Sequence, residues 1–335
     1  LFLFMVQELI TLNSGKIYDY LHHIDVKAYG KSRMLSIYLG EFDDGLILFD
    51  CGSSLDIKKV LRYFKNNNIP LKSFRYLIPS HHHFDHAGGM YLLYQKLKKY
   101  SPDVKILTNK MTMDLLNNYE EHLNRAKRTY GDLIGTMESI EEKAFKLIHP
   151  SKNFSSDPKS LNIIDTFYKN DEKIKLGIFH TPGHTPDHQC PFLIRNDKME
   201  FIFWGEAVGT IYHSSKLVTM PTSMPTYFNH NEFMETLANL KKLKPLKAGF
   251  GHFGVINGKE NVREILIEHE TFLKKFRAEI IHAYHEKPET KYVLEKLLPI
   301  LTPRTDLNIE GISIFNGIAL GIVYGMMMDL DYRKT

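Results

Sequence analysis

The sequence predicts an α/β (α+β) fold in which two β-sheets pack face to face between outer layers of helices, a four-layer αββα sandwich. Two observations lead to this prediction. A group of strands followed by a covering helix occurs twice, in residues 34–107 and again in residues 163–277. A chain of 335 residues with 43% hydrophobic residues is also long enough for one large core with additional segments.

The first half of the pattern begins with a predicted β-hairpin. Residues 34–39 and 46–50 are apolar strands that flank an Asp44-Gly45 turn. Further along, the pattern predicts a helix over residues 57–64, a buried strand over 76–79, an amphipathic helix after Gly88-Gly89 and a strand over 104–107.

The second half repeats this organisation. Two hairpins are expected, one over residues 163–179 with an Asn170-Asp171 turn and one over residues 189–204 with an Asn196-Asp197 turn. The pattern then predicts, in chain order, a helix over residues 232–243, a short strand and a long helix over residues 261–277. Every candidate ligand described below follows a predicted strand, so the ligands are expected to meet at one edge of the sandwich.

Two stretches lie outside the repeat. Residues 108–162 are helical and strongly polar, and we expect an insertion in the main domain of residues 1–277. Its role as a lid over a site, as a helical arm or as a dimer contact is left open. Residues 278–335 are predicted to form a helical C-terminal extension. The uncharged run over residues 311–328 contains several polar residues and glycines, which favours a buried helix over a membrane span.

Composition excludes some classes of protein. The net charge of +4 is small for this length and permits an anionic partner without indicating one. Only Cys51 and Cys190 occur, so a disulfide framework is absent and a reducing, cytoplasmic location is expected. No basic start of a signal peptide precedes the short apolar N-terminal run, and no membrane association is expected.

The most informative segment is residues 81–86, which read His-His-His-Phe-Asp-His. It follows the apolar run of residues 76–79 and precedes a helix, so it forms a strand-to-helix loop. His81 and His83 can turn toward one cation, and Asp85 and His86 toward a second one nearby. Imidazole nitrogen and carboxylate oxygen suit Zn²⁺, and also Fe or Mn.

This loop resembles the metallo-β-lactamase superfamily, whose signature is His-x-His-x-Asp-His between a strand and a helix. Three later segments strengthen the resemblance, because they follow in the family's order. Residues 180–186 are similar to its Thr-Pro-Gly-His-Thr segment, residues 203–206 lie where it has Gly-Asp, and residues 251–254 resemble its final His motif. The sequence departs from the family at Glu206, where the family has Asp.

The resemblance implies a site for two divalent ions, Zn²⁺ first, with Fe or Mn as alternatives. It assigns His81, His83 and His184 to one ion, Asp85, His86 and His252 to the other, and Glu206 as the bridge between them. Asp85 and His252 are also the candidate catalytic residues.

Other histidines receive structural roles at this stage. His82 is expected to face outward or to hydrogen-bond a neighbour, and His180 and His188 to support the His184 loop. His213 and Tyr212 could orient a substrate, although a structural role is favoured. His22 and His23 are interpreted as a pair of surface residues.

The resemblance further implies a metal-dependent hydrolase, in which a hydroxide held by both ions attacks an ester, a thioester or a lactone, with β-lactams as promiscuous substrates. A phosphodiesterase or ribonuclease is the alternative, and an iron oxidoreductase is a third class. The expected partner is a small-molecule substrate. Nucleic acid is not favoured, because no strongly basic stripe occurs, and a homodimer is left open.

Overall fold

The computed structural model describes residues 8–307 and 313–334. Within these residues, fourteen strands form two seven-stranded sheets. In chain order the strands are β1 Ile10–Thr11, β2 Gly15–Tyr18, β3 Leu21–Asp25, β4 Ser36–Phe42, β5 Gly45–Phe49, β6 Phe74–Ile78, β7 Lys105–Thr108, β8 Phe145–Leu147, β9 Asp165–Lys169, β10 Glu172–His180, β11 Gln189–Arg195, β12 Lys198–Gly205, β13 Lys247–Phe250 and β14 Val255–Asn257.

Each sheet is built mainly from one half of the predicted pattern, and β1 from the N-terminal region joins the second sheet. The first sheet has the strand order β2-β3-β4-β5-β6-β7-β8, and the second has the order β1-β14-β13-β12-β11-β10-β9. Both are mixed, with parallel pairing at β5–β6–β7–β8 in the first and at β12–β13 in the second. The two sheets with helices outside them confirm the predicted α/β sandwich.

Strand alternation divides the core into two parts. On β12, Phe201 and Phe203 belong to an aromatic-rich cluster between the sheets, whereas Ile202 and Trp204 belong to the cluster beneath the helices. The Tyr38 ring lies 5.0 Å from the rings of both phenylalanines and therefore joins the sheets. A strand whose two faces are both buried is expected to be almost continuously apolar, as residues 201–204 of β12 are.

The helices lie outside the two sheets, and the C-terminal ones pack on other helices. They are α1 Ile57–Asn66, α2 Phe84–Ala87, α3 Met90–Lys98, α4 Lys110–Asn117, α5 Glu120–Tyr130, α6 His230–Leu240, α7 Lys259–Glu286, α8 Thr290–Leu301 and α9 Ser313–Asp329, within the described residues. Helix α3 packs on β6, and α7 packs on β13 and β14. Amphipathic spacing explains this placement, since Val60 and Phe64 of α1 face the core while its lysines face solvent.

Helix α7 extends through residues 277 and 278, where the C-terminal extension was expected to begin. Its last turns pack against α8 and α9, and α9 also contacts α5 of the insertion. The division into two domains stays a prediction.

The apolar run over residues 311–328 begins with two residues that lie outside the described part. None of the described helices is long and apolar enough to cross a bilayer.

Five short strands are present that the sequence pattern did not predict. Strands β2 and β3 extend the first sheet at one edge, and β8 extends it at the other from within the insertion. Strands β14 and β1 extend the second sheet at the edge beyond β13. The interpretation of His22 and His23 as a surface pair is wrong, because both are buried on β3. His22 Nε2 lies 3.0 Å from a carboxylate oxygen of Glu41, and His23 Nε2 lies 2.8 Å from the Ser36 hydroxyl oxygen. These polar partners make the burial of the imidazoles tolerable.

Candidate metal centre

Parallel strand pairing brings the candidate ligands to one edge of the sandwich. Phe49 pairs with Ile78, so Asp50 and the His81 loop leave the first sheet side by side. Gly205 pairs with Phe250, so Glu206 and the His252 loop leave the second sheet side by side. Because the C-terminal ends of neighbouring parallel strands lie at the same edge, residues far apart in the chain converge there.

The His184 loop reaches this edge from the turn between β10 and β11. Gly183 has φ 126°, and a Cβ atom at this position would lie 2.3 Å from the Cα of Phe233 on α6. Only glycine allows this backbone conformation and this approach to the helix. The loop is thereby held against α6 with His184 buried beside the His81 loop.

One group of ligand atoms consists of His81, His83, His184 and Glu206. His184 Nε2 lies 3.2 Å from His81 Nε2 and 3.1 Å from His83 Nδ1. Glu206 Oε2 lies 2.7 Å from His184 Nε2. Nitrogens that share one tetrahedral Zn²⁺ at 2.0–2.1 Å would be about 3.3 Å apart, so the spacing of these imidazoles fits a single cation.

The second group consists of Asp85, His86 and His252. The short helix α2 presents Asp85 and His86, and Asp85 Oδ2 lies 3.6 Å from His252 Nε2. Glu206 reaches this group as well, because its Oε2 lies 3.5 Å from His86 Nε2 and its Oε1 lies 3.6 Å from His252 Nε2. Glu206, whose side chain is longer than the Asp that the family has at this position, thus lies between the two groups.

The outer nitrogens of four imidazoles are held by fixed partners. His86 Nδ1 lies 2.7 Å from Asp50 Oδ2, and His81 Nδ1 lies 3.0 Å from the Ser80 hydroxyl, which donates to the same carboxylate. His184 Nδ1 and His252 Nδ1 donate to the carbonyls of Thr222 and Met34. These bonds place the proton on Nδ1 and leave Nε2 of each ring free to face the centre.

The sequence analysis missed Asp50, which supports both groups. Its carboxylate is fully buried and also accepts the Ser80 backbone N–H at 2.6 Å. Asp50 is the last residue of a predicted strand, and only the pairing of that strand with β6 places it beside the His81 loop.

The charges of the site suit a cation. Burial lowers the pKa of His81 and His83 well below the ordinary value, which keeps these rings in the neutral form that binds metals. Burial also lowers the pKa of His86, but the nearby carboxylates outweigh it and raise the pKa well above the ordinary value. Burial raises the pKa of Glu206, and His184 more than reverses this effect.

A further observation tests whether the residues fit a metal. Among the residues that the structure describes, His86 Nε2 is buried without a hydrogen-bond partner, although an unpaired buried nitrogen is costly. The nitrogen faces Glu206 and Asp85, whose oxygens would share a cation with it. The donor set of imidazoles and carboxylates therefore fits a borderline divalent ion such as Zn²⁺.

The remaining histidines are mostly structural. His188 Nδ1 lies 2.8 Å from the Thr181 hydroxyl and its Nε2 accepts the Glu206 backbone N–H, and His180 contacts the Pro186 carbonyl. Both therefore brace the His184 loop, as their sequence positions suggested. His82 is buried and bonded to a neighbour, Asp187, which the sequence analysis did not identify.

A cavity of about 150 Å³ opens above the two groups. Its floor contains His83, Asp85, Glu206 and His252. The walls come from three parts of the chain and include Tyr29, Phe84, His122, Arg125, Tyr130, Tyr212, Met224, Tyr227, Ile318 and Ile322. The insertion and the C-terminal helix α9 thus both line the cavity, together with Tyr212 but without His213.

The fold, the ligand order and a matching family model define the class of protein. The model of the metallo-β-lactamase superfamily matches residues 33–252, so the chain belongs to this superfamily. A metallo-β-lactamase fold-containing protein, ST1585 of Sulfurisphaera tokodaii, is 25% identical over 215 residues, which are 60% of this chain and 69% of that protein.

Solved structures show the same fold. The crystal structure of ST1585 from Sulfolobus tokodaii superposes with a TM-score of 0.60 at 20% identity, covering 92% of this chain and 98% of that chain. A metallo-β-lactamase of Cronobacter sakazakii gives a TM-score of 0.53 at 13% identity, covering 81% of this chain and 96% of the other. At these identities the likeness concerns the fold alone.

Proposed function

We propose that the chain is a metal-dependent hydrolase that cleaves a carboxylic ester, a thioester or a lactone. The observation that carries this proposal is the position of Glu206 at the floor of the cavity, between two ligand groups. Superfamily membership makes a hydrolytic enzyme the expected class. The reaction then takes place where the cavity meets the two groups.

The residues that would hold the ions are His81, His83 and His184 for one, Asp85, His86 and His252 for the other, and Glu206 between them. When bound, the ions would lower the pKa of a coordinated water and supply the nucleophile at neutral pH. Glu206 contributes a negative charge that lowers the repulsion between the two cations. Asp85 and His252 contact the cavity, which is consistent with their expected catalytic role.

The cavity walls favour an uncharged substrate. Within the described part of the chain, Arg125 is the only Lys or Arg side chain in the lining, and it pairs with Glu121 at 3.3 Å. Beyond the ions at the floor, the walls would therefore offer the charge of a phosphodiester only this one compensated cation. Burial raises the pKa of Tyr130 and Tyr212, so their hydroxyls stay protonated and are available to hydrogen-bond a carbonyl group.

A substrate panel tests the proposal. We expect Zn²⁺- or Mn²⁺-loaded protein to hydrolyse neutral aryl esters, thioesters and lactones more rapidly than bis(p-nitrophenyl) phosphate. His83→Ala removes a ligand and should abolish turnover while the fold is retained, because a core of this size does not depend on the metal for its stability. The control is His149→Ala, which changes an exposed histidine.

Two outcomes would contradict the proposal. Full activity of His83→Ala would rule out the metal mechanism. A preference for the phosphodiester, together with salt-sensitive RNA binding, would favour the nuclease alternative.

A further inference from the structure

Part of the wall of the cavity above the ligand groups is apolar. Helix α9 contributes Ile318, Gly321 and Ile322 to the lining, and none of them carries a polar side-chain atom. Phe84 and Met224 extend this surface, which we call the apolar wall. The groups that could bind metal ions lie at the floor of the same cavity. A substrate that is cleaved at the floor would therefore lie against the apolar wall.

The space beside the apolar wall exists because residue 321 is glycine. A Cβ atom at Gly321 would lie 2.9 Å from Met224 Sδ and 3.9 Å from the Tyr130 hydroxyl oxygen. Both neighbours line the cavity, so a side chain at position 321 would point into it. Gly321 lies inside α9 without a positive φ, and glycine is unfavourable in the interior of a helix. The backbone does not require glycine here, and the missing side chain leaves room in the cavity.

A short segment that begins at Thr222 connects the apolar wall to the ligand groups. The Thr222 carbonyl accepts the His184 Nδ1 proton at 2.6 Å, and the Thr222 hydroxyl donates to the Glu206 carbonyl at 2.9 Å. The next residue, Ser223, donates its hydroxyl to the Ile322 carbonyl at 2.7 Å. The same segment thus bonds the ligand loops at one end and α9 at the other. The apolar wall is thereby held at a fixed position relative to the floor.

We propose that the apolar wall binds an unbranched alkyl chain of the substrate and that Gly321 determines how long this chain can be. The inference rests on the proposed hydrolase function and names the substrate class of that site, namely esters, thioesters or lactones that carry an alkyl chain. The chain can belong to the acyl group or to the leaving group, because both offer the same chemistry to the wall. Each methylene that leaves water for an apolar surface strengthens binding about fourfold.

The chemistry of the apolar wall selects against a polar chain. A hydroxyl or a charged group would lose its water there, and the α9 side chains offer it no hydrogen-bond partner. Tyr130 supplies the polar group nearest to the space at Gly321. A carbonyl group bonded to the Tyr130 hydroxyl would therefore place the adjoining chain beside Gly321 and Met224. The flexible thioether of Met224 can adapt to the shape of the chain.

The first test is the dependence of hydrolysis on chain length, measured with the metal-loaded whole chain. The p-nitrophenyl esters from acetate to octanoate vary the acyl group, and S-alkyl thioacetates from ethyl to octyl vary the leaving group. We expect kcat/KM in at least one series to rise about fourfold for each of the first methylenes that are added.

Two substitutions change the length of the space in opposite directions. Gly321→Leu fills it, and the fold should be retained because leucine favours a helix and the end of Met224 can move aside. We expect this variant to lose the gain from longer chains and to keep the wild-type kcat/KM for acetate. Met224→Ala enlarges the space and should shift the preference to longer chains. The matched control is Leu320→Ala, which changes an exposed apolar residue of the same helix and should leave the chain-length profile unchanged.

The second test measures binding without catalysis. Uncharged N-alkylacetamides with chains of four to about eight carbons are titrated into the metal-free chain by calorimetry, and the affinity should rise about fourfold per methylene. Gly321→Leu should abolish this rise. Because no bond is cleaved, the result is independent of the reaction that the site performs.

The two tests separate failure of this inference from failure of the proposed function. If esters or thioacetates are hydrolysed without any dependence on chain length, the inference is overturned and the hydrolase function stands. Equal losses for acetate and octanoate in Gly321→Leu, or a changed profile in Leu320→Ala, also overturn it, because residue 321 would then act through the fold. If nothing is hydrolysed, the proposed function fails, and the binding test alone decides: an affinity that does not rise with chain length overturns the role of the apolar wall.

Discussion

The substitution Asp50→Asn should weaken metal binding through the imidazoles that Asp50 orients. The Asp50 φ of 58° lies in the left-handed region, which Asn tolerates better than most residues, so the backbone can accept the change. The Ser80 backbone N–H requires an acceptor, and the amide oxygen will therefore take the position of Oδ1. The amide nitrogen then occupies the position of Oδ2, beside His86 Nδ1 and the Ser80 hydroxyl.

This exchange reverses two hydrogen bonds. The new amide donates to His86 Nδ1, which must become an acceptor, so the His86 proton moves to Nε2. The amide also donates to Ser80, whose own proton then turns toward His81 Nδ1 and produces the same tautomer shift there. Both rings would then present a protonated nitrogen to the cation. Loss of such an outer partner typically costs 10–100-fold in metal affinity, which corresponds to about 1.4–2.7 kcal/mol.

Competition with a fluorescent chelator for Zn²⁺ measures the affinity, and the ¹⁵N shifts of the imidazoles report the tautomers. The matched control is Asp56→Asn, because Asp56 is also buried but bonds Ser53 and Lys59 away from both groups. Unchanged affinity for both ions in Asp50→Asn, with folded protein, would refute the role of Asp50. An equal loss in Asp56→Asn would indicate a general effect of destabilisation.

Three other predictions follow from the structure. Glu206→Gln should reduce the ions held by the two main groups from two to one or none, and an unchanged count would show that Glu206 does not coordinate. Replacement of α5, Glu120–Tyr130, by a short Gly-Ser linker should change KM or substrate preference while those two groups keep their ions. If metal content and stability fell together in this variant, α5 would be part of the core instead. Burial raises the pKa of Asp165, but the Tyr76 hydroxyl and the Arg75 charge outweigh it and hold the pKa below its ordinary value. This stabilisation is present above pH 4 and is lost as the pH falls through the lowered pKa. Urea unfolding across pH 2–6 should therefore show a smaller acid loss in Asp165→Asn than in the wild type.

The sequence predicted the candidate ligands because their signature is local. Residues 81–86 carry four candidate ligands within six positions, and a strand before the segment with a helix after it is visible in the apolar pattern. Glu206 could be placed because it follows the apolar strand of residues 201–204, at the position where the family has Asp. The fold class followed from the same strand and helix periodicities.

The supporting carboxylates could not be recognised in this way. Asp50 and Asp187 accept hydrogen bonds from histidines that lie 36 and 105 residues away in the chain. A lone Asp at the end of a strand has no local mark of such a role, because only strand pairing brings it to its partner. Strand β3 was missed for a related reason. His22 and His23 interrupt its apolar run, and their partners Glu41 and Ser36 come from the neighbouring strand β4.

The contact between α5 and α9 has a consequence for the exchange of segments between relatives. A Cβ atom at Gly317 would lie 3.3 Å from the Tyr130 ring, and both helices line the same cavity. The two helices are separated by almost two hundred residues of chain. A chimera that imports only one of them would pair it with a surface of the wrong shape. Transfer of specificity between members of this family would require that both segments be exchanged together.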